Sequence, residues 1–302
     1  MNETTKNLST SKDPNSLPLF KRMVILTNER FPLIVNILLV TGTILALNKI
    51  LKIPFGLTTF LLTLFINLFL LLLLRWTDEL KDHDKDVLAH PLRPIPRGLV
   101  KVKELKSIIE KTMILFLAFG ALIFLFFSLP SLVFYIITLA WMHLMYKEFF
   151  VGTKLQNFPF IYAVLHQLLI IPMSFMNAFI LTSNLKSTVP LNSIFILSII
   201  FLSSFFAYEV GRKLNPDAHP ALKTYLHCFG KTKVLTLLII LETILFLCLY
   251  ILGYKIVGYI LTTIIFIKLF QWYLKPHLFK KTEDTIALQV LAVSWLIAFV
   301  TY

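Results

Sequence analysis

Nine apolar segments, each close to the length needed to cross a lipid bilayer, divide most of the chain. A helix needs about 20 mostly apolar residues to span the hydrocarbon core, where the backbone finds no hydrogen-bond partners outside the helix. With 57% hydrophobic and 15% charged residues, the sequence is too apolar for a soluble globule or for disorder. We predict an all-α integral membrane protein with spans at 31–50, 55–74, 112–129, 131–146, 158–181, 191–208, 234–252, 257–274 and 285–302.

Positive charge is distributed unevenly between the loops that join these spans. If alternate loops lie on alternate sides, one side holds the N-terminus and 24 of the 29 Lys and Arg residues, and the other side holds four. Basic residues collect in cytoplasmic loops, so we predict a cytoplasmic N-terminus and a C-terminus on the opposite side. The same rule explains the net charge of +13 without a nucleic-acid partner. Residues 1–30 form a predicted polar cytoplasmic segment, and residues 31–302 form one membrane domain.

The first long cytoplasmic loop begins with a ladder of carboxylates. Asp78, Asp82 and Asp86 are spaced at i, i+4 and i+8, which stacks them on one face of a helix that continues from the second span. Glu79 lies on the adjoining flank. Like charges at this spacing repel, and Mg²⁺, which binds carboxylates and substrate phosphates, would remove the conflict. The alternative is a solvated segment in which Lys81 and neighbouring lysines neutralise the acids.

A proline-rich stretch follows the carboxylates. It reads Arg93-Pro-Ile-Pro-Arg97-Gly98, and its two prolines predict a rigid extended turn. The guanidinium group suits bidentate contact with phosphate, so Arg93 and Arg97 are candidate phosphate-binding residues. Acids for a metal, followed by a stiff loop with arginines, indicate a diphosphate site.

The second long cytoplasmic loop carries a less regular set of charges. Glu209 lies at the membrane border, where a carboxylate is costly unless it is paired or bound to a metal. Arg212 and Lys213 follow it closely, and Asp217 and Lys223 lie further on. The alternative is an ordinary connector rich in positive charge.

Polar residues within the spans are best explained as helix–helix hydrogen-bond partners. Asn67 has a second interpretation, because it precedes Asp78 by 11 residues and so lies three helical turns deeper on the same face, where an acceptor could bind. Lys147 follows the fourth span in a basic loop that could close over a diphosphate. A positive-inside loop explains Lys147 equally well.

The first charged loop resembles the first signature of the UbiA family of intramembrane prenyltransferases. That signature is Asn-Asp-x-x-Asp-x-x-x-Asp, followed by an Arg-Pro-Leu/Ile-Pro-x-Gly loop. Asp82 and Asp86 match it outright, while Asp78 and Glu79 replace its Asn and first Asp and keep an oxygen ligand. The second signature, Asp-x-x-x-Asp with a later Lys-Thr-Leu, matches loosely at residues 209–225, because eight residues separate the two acids instead of four.

The resemblance implies nine helices around a central cavity, with both charged loops at its cytoplasmic mouth. It implies Mg²⁺-dependent transfer of a prenyl group from a prenyl diphosphate to a lipophilic acceptor, often an aromatic ring. The implied catalytic residues are Asp78, Asp82 and Asp86. The implied metal ligands are Asp78, Glu79, Asp82, Asp86, Glu209 and Asp217. The candidate substrate-binding residues are Asn67, Arg93, Arg97, Lys147, Arg212, Lys213 and Lys223.

Two other functions stay open at this point. The irregular second motif is compatible with a membrane terpene cyclase that ionises the same diphosphate without an acceptor. A lipid transporter or binding protein is the non-enzymatic alternative. Transporters carry interrupted helices near the membrane midplane, and Pro172 with its polar neighbours is the feature of this sequence that offers such an interruption.

Overall fold

The computed structural model describes residues 17–155, 158–183 and 189–300, and every described element is a helix or a connecting turn. Part of the predicted N-terminal segment (1–16), the loop residue Lys186 and the final two residues of the ninth span lie outside the described residues. The α-helices are α1 (Leu19–Arg30), α2 (Leu33–Leu51), α3 (Leu57–Lys81), α4 (His83–Ala89), α5 (Val102–Phe126), α6 (Leu129–Tyr146), α7 (Gly152–Leu155), α8 (Pro159–Gln167), α9 (Ile170–Leu181), α10 (Leu191–Gly211), α11 (Tyr225–Ile251), α12 (Lys255–Leu274) and α13 (Phe279–Phe299). Short 3₁₀ helices are Glu148–Phe150, Pro220–Leu222 and Pro276–Leu278.

Nine membrane-spanning segments are confirmed among the described residues. Several helices extend beyond the predicted spans on the side that carries the charged loops. The helix α5 begins at Val102, where the buried Leu105 and Ile109 continue the apolar face beneath a charged surface. Such amphipathic ends keep the helical period but lose the apolar composition that marks a span.

The fifth span is one predicted segment built from two helices. Its break falls between Gln167 and Ile170, just before Pro172. Proline has no N–H to donate to the carbonyl of Leu168, which accepts from Ile171 instead, at 3.2 Å. The N–H groups in the first turn of a helix have no partner within that helix, so the proline costs α9 none of its own hydrogen bonds and the second helix starts here.

The last span closes the bundle against the first. The indole Nε1 of Trp295 in α13 donates to the carbonyl of Leu38 in α2, at 3.2 Å. Gly42 permits this close approach, because a Cβ at that position would lie 2.4 Å from the hydroxyl oxygen of Ser294. The first and last spans are therefore in direct contact.

The described part of the predicted N-terminal segment forms the amphipathic helix α1. Met23 and Leu26 are buried in the apolar cluster that also contains residues of α3, α5, α6 and α9. Arg22 makes a bidentate ion pair with Glu104 of α5, at 2.7 Å for both contacts. The segment is therefore polar in composition but docked on the membrane domain.

Candidate active site at the mouth of the central cavity

A cavity of about 1030 Å³ lies inside the bundle. Its deep part has apolar walls from α2, α3, α9 and α10, and its mouth is lined by the two charged loops. The apolar residues that these four helices contribute include Leu39, Val40, Leu47, Leu71, Leu74, Ile170, Met173, Phe201 and Phe205. Such a cavity fits a ligand with an apolar tail and a charged head.

The carboxylate ladder lines this mouth. The helix α3 ends at Lys81 and α4 begins at His83, yet the backbone N–H of Asp82 donates to the carbonyl of Asp78, at 2.9 Å. The N–H of Asp86 donates to the carbonyl of Asp82, at 2.8 Å. These bonds keep the i, i+4 register across the junction, so the three acids face the cavity together.

The three carboxylates differ in how firmly cations hold them. Arg93 donates to both oxygens of Asp86, at 2.6 and 2.7 Å, and the Asp86 side chain is only 3% exposed. Asp78 lies 3.2 Å from Lys81. Asp82 has a longer contact, 3.6 Å from Lys85, and its side chain is 53% exposed to the open mouth. Partial desolvation by the surrounding protein, and then the negative charge of Asp78, raise the pKa of Asp82.

Glu79 does not line the cavity. Its side chain is 1% exposed and lies between two arginines, Arg30 from α1 and Arg75 from α3. Nε of Arg30 donates to Oε1 of Glu79 at 2.7 Å, and Arg75 donates to the same oxygen. Arg30 and Arg75 do line the cavity. Glu79 thus pairs with two arginines that line the mouth.

Arg30 lies in a region with a surplus of positive charge. Burial, and then the neighbouring guanidinium of Arg75, lower the pKa of Arg30 against the opposing effect of Glu79. Sequence patterns gave no reason to select Arg30 or Arg75, because neither belongs to a recognised motif. Only the packing of α1 against α3 brings them together.

The proline-rich turn is compact, which corrects the predicted extended form. The N–H of Arg97 donates to the carbonyl of Arg93, and that of Gly98 to the carbonyl of Ile95, both at 3.0 Å. Gly98 has a φ of 78°, the left-handed region that favours glycine. A φ near −65° suits proline in tight turns as well as in extended chain, which explains the difference.

The second charged loop faces the first across the mouth, where α4 contacts the turn Pro220–Leu222. Glu209 lines the cavity and pairs with Arg212 at 2.8 Å and with Lys213 at 2.5 Å. The Glu209 carboxylate raises the pKa of Arg212, which stays charged. Asp217 and Lys223 also line the mouth. The structure therefore brings charged residues from both loops to one opening.

Two predicted phosphate-binding residues lie outside the cavity lining. Arg97 pairs with Glu29 of α1, with contacts of 2.6 and 2.9 Å. The ammonium of Lys147 lies over the ring of Tyr146, 4.8 Å from its centroid. Both residues are held by other contacts of the protein.

Asn67 lies in the cavity wall, three turns below the acids, and forms a reciprocal amide pair with Asn177 of α9. Nδ2 of Asn67 donates to Oδ1 of Asn177 at 2.8 Å, and Nδ2 of Asn177 donates back at 3.1 Å. Both amides line the cavity. Helix–helix bonding and contact with a ligand are therefore compatible roles for Asn67.

A basic and aromatic group links the acids to the break in the fifth span. The ammonium of Lys81 donates to Nε2 of His166, at 3.2 Å, and Nδ1 of His166 faces the carbonyl of Tyr162, at 2.8 Å. An ammonium can only donate and a carbonyl can only accept, so His166 is neutral with its proton on Nδ1. Its Nε2 accepts from Lys81, and both residues line the cavity.

The oxygen ligands fit a metal that shares its coordination with a substrate. Among the described residues, no three His, Cys, Asp or Glu side chains converge as a preformed metal site. Mg²⁺ keeps several waters and is usually held by one or two carboxylates together with substrate phosphates. The half-exposed Asp82 beside Asp78, facing Glu209 across the mouth, offers such carboxylates.

A charged mouth over an apolar cavity thus lies inside a helical membrane bundle, whose described residues include nine helices long and apolar enough to span a bilayer. The chain belongs to the UbiA prenyltransferase family, whose model matches residues 33–297. The protein is thus a membrane prenyltransferase, and its family implies a prenyl diphosphate donor, a lipophilic acceptor and a divalent metal.

The fold agrees with this assignment. A solved structure of digeranylgeranylglyceryl phosphate synthase superposes with a TM-score of 0.59 at 17% sequence identity, over 91% of this chain and 99% of that one. A search of curated proteins finds no match.

Proposed function

We propose that the protein transfers a prenyl group from a prenyl diphosphate to a lipophilic acceptor inside the membrane, with Mg²⁺ as the divalent metal. The amphipathic cavity carries this proposal. The apolar tail of the donor would lie between α2, α3, α9 and α10, and its diphosphate would lie at the charged mouth. Excluding water from the apolar part protects a reactive allylic cation from hydrolysis.

We assign the metal to the carboxylates that face the cavity. Asp78, Asp82 and Asp86 belong to the first loop, and Glu209 and Asp217 belong to the second. The metal would offset the charge that builds on the leaving diphosphate. Asp86 also fixes the guanidinium of Arg93, so it would serve the site through that arginine as well.

The cations that line the mouth would bind the phosphate oxygens. Arg93, Arg212, Lys213 and Lys223 meet this requirement. Arg97 and Lys147 lie outside the lining, so we leave them out of the proposed site. Guanidinium and ammonium groups neutralise phosphates through charge-assisted hydrogen bonds, which are the stronger class of hydrogen bond.

The acceptor would approach the donor near Asn67 and His166, where polar groups enter the apolar wall. Forming a bond to a hydroxyl or to an aromatic ring carbon releases one proton from the acceptor. The Nε2 lone pair of His166 is placed to receive that proton once Lys81 turns toward the diphosphate. An aromatic acceptor, as the family resemblance implies, would satisfy this arrangement.

The test is pyrophosphate release by purified protein in nanodiscs. The protein would receive prenyl diphosphates of several chain lengths and a pool of lipophilic aromatic acceptors, with Mg²⁺ or with EDTA, and the lipid products would be identified by mass. Asp82→Asn should reduce Mg²⁺-dependent release at least about 100-fold, because one metal-binding carboxylate is lost. Asp84→Asn is the matched control, since Asp84 is fully exposed and does not line the cavity.

The products separate the possible outcomes. A prenylated acceptor supports transfer, and a cyclic hydrocarbon or terpene alcohol would instead indicate a cyclase. Donor binding without release in any mixture would favour a binding protein or transporter. Equal release by wild type and Asp82→Asn would show that the metal site is wrongly placed.

A further inference from the structure

One wall of the cavity mouth carries more positive than negative charge. It is formed by Arg30 at the end of α1, Arg75 in α3 and the buried Glu79 between them. Two guanidinium groups share the single oxygen Oε1 of one carboxylate. The wall therefore keeps a net positive charge beside the acids of the first loop.

The same wall has more hydrogen-bond donors than acceptors. Nε of Arg75 is buried without a partner, and so is Oε2 of Glu79. Even a bond between these two atoms would leave most of the N–H groups of Arg30 and Arg75 without an acceptor, since each guanidinium carries five. Both arginines face the cavity while Glu79 does not. An anion in the mouth would supply the missing acceptors.

We propose that Arg30 and Arg75 bind the diphosphate of the donor, and that Glu79 is a positioning residue that holds both guanidinium groups toward the cavity. The helix α1 thereby contributes a residue to the active site. This inference rests on the proposed function and adds a second set of phosphate ligands to Arg93, Arg212, Lys213 and Lys223.

The geometry also assigns the glutamate of the first motif a role away from the metal. Its carboxylate is 1% exposed and paired with two guanidinium groups. Unlike Asp86, which is also buried and paired with an arginine, Glu79 does not line the cavity. A metal at Glu79 would have to displace a buried ion pair, which is costly when either partner is left alone. Asp78, one position earlier, already faces the mouth.

The test is the binding of inorganic pyrophosphate to protein in phosphatidylcholine nanodiscs, by calorimetry at one fixed low salt concentration, with EDTA and separately with Mg²⁺. Arg30→Gln and Arg75→Gln should each weaken binding by about 10-fold or more in both conditions, because a charge-assisted contact is lost. Lys21→Gln is the matched control, since it removes one positive charge from the exposed surface of the same helix. Its affinity should stay within about twofold of wild type, since exposed charges contribute little.

A double variant protects the test against misfolding. Arg30→Gln combined with Glu79→Gln removes one cation and one anion, so the net charge of the wall stays as in wild type. This variant should still bind pyrophosphate more weakly than Glu79→Gln alone. Unchanged affinity in Arg30→Gln and Arg75→Gln, with wild type binding normally, would overturn this inference alone. Failure of wild type to bind pyrophosphate even with Mg²⁺ would instead overturn the proposed function.

Discussion

Asp82 combines the weakest cation contact of the carboxylate ladder with a raised pKa. The acid form does not bind a metal, so activity should fall as the pH drops through this raised pKa. Asp78→Asn removes one of the two main causes of the shift. We therefore expect this variant to lower the pKa of Asp82 and to move the acidic limb of the pH–rate profile to lower pH.

The measurement is the rate of pyrophosphate release against pH at subsaturating Mg²⁺. Asn occupies the corresponding position of the family signature, so Asp78→Asn should retain substantial activity near neutral pH. An acidic limb that stays in place, or moves to higher pH, would contradict the assigned charge coupling between Asp78 and Asp82.

Glu79 allows a second prediction, because metal binding and arginine positioning have different consequences. In Glu79→Gln, the Mg²⁺ concentration for half-maximal activity should stay within about twofold of wild type, whereas Asp82→Asn should raise it at least about tenfold. Glu79→Gln should also destabilise the protein by about 1.5–3 kcal/mol, the usual contribution of a hydrogen bond to a charged group. Thermal unfolding in the same nanodiscs measures this loss. A large increase in the Mg²⁺ concentration for half-maximal activity of Glu79→Gln would instead indicate that Glu79 binds the metal.

Local residue spacing predicts the acids of the first loop well, since i, i+4 neighbours share a face whatever the rest of the fold does. It cannot predict the environment of Glu79. Arg30 lies 49 residues away in the chain, and only the docking of α1 on α3 makes it a neighbour. The sequence therefore predicts which carboxylates are present but not which cations each one meets.

At the scale of elements, the interrupted fifth span is the feature that shapes the cavity wall. Pro172→Ala supplies a backbone N–H that can donate to the carbonyl of Leu168, which favours one continuous helix. Straightening would move His166 and Gln167 relative to the acids. We expect prenyl transfer to fall several-fold while the unfolding temperature stays equal or rises, as stability–activity trade-offs predict.

The control for this variant is Pro190→Ala, which lies before α10 at the start of a helix and outside the cavity lining. Its transfer rate should match wild type. Full activity in Pro172→Ala would show that the break does not position the site.

Apolar composition located the nine spans found in the described part of the chain, because lipid demands long apolar helices regardless of their packing. Composition could not locate the helix ends or the break. The ends are amphipathic, so they keep the helical period but fall below the apolar composition that marks a span. The break depends on how neighbouring helices accommodate Pro172, and composition carries no record of that packing.

At the scale of the whole molecule, the sidedness of the membrane insertion is a prediction from loop charge. Cys228 is exposed in the second charged loop region, and Cys248 lies half-buried within a span. A membrane-impermeant maleimide should label Cys228 in inside-out vesicles and not in intact cells. Cys228→Ser should abolish the labelling, and Cys248→Ser should leave it unchanged. Labelling from the outside would invert the predicted orientation.

The pair of amides in the cavity wall has a consequence for biosynthesis. Asn67 leaves the ribosome 110 residues before its partner Asn177. At about 5–20 residues per second, that interval lasts about 5–20 seconds. During this time the side chain needs another acceptor, because an unsatisfied amide in hydrocarbon costs several kcal/mol. Nδ2 of Asn67 already donates to the carbonyl of Thr63, one turn back in α3, at 2.7 Å. Before Asn177 is synthesised, this bond within α3 can thus satisfy part of the Asn67 amide and lower the cost of holding it in the bilayer.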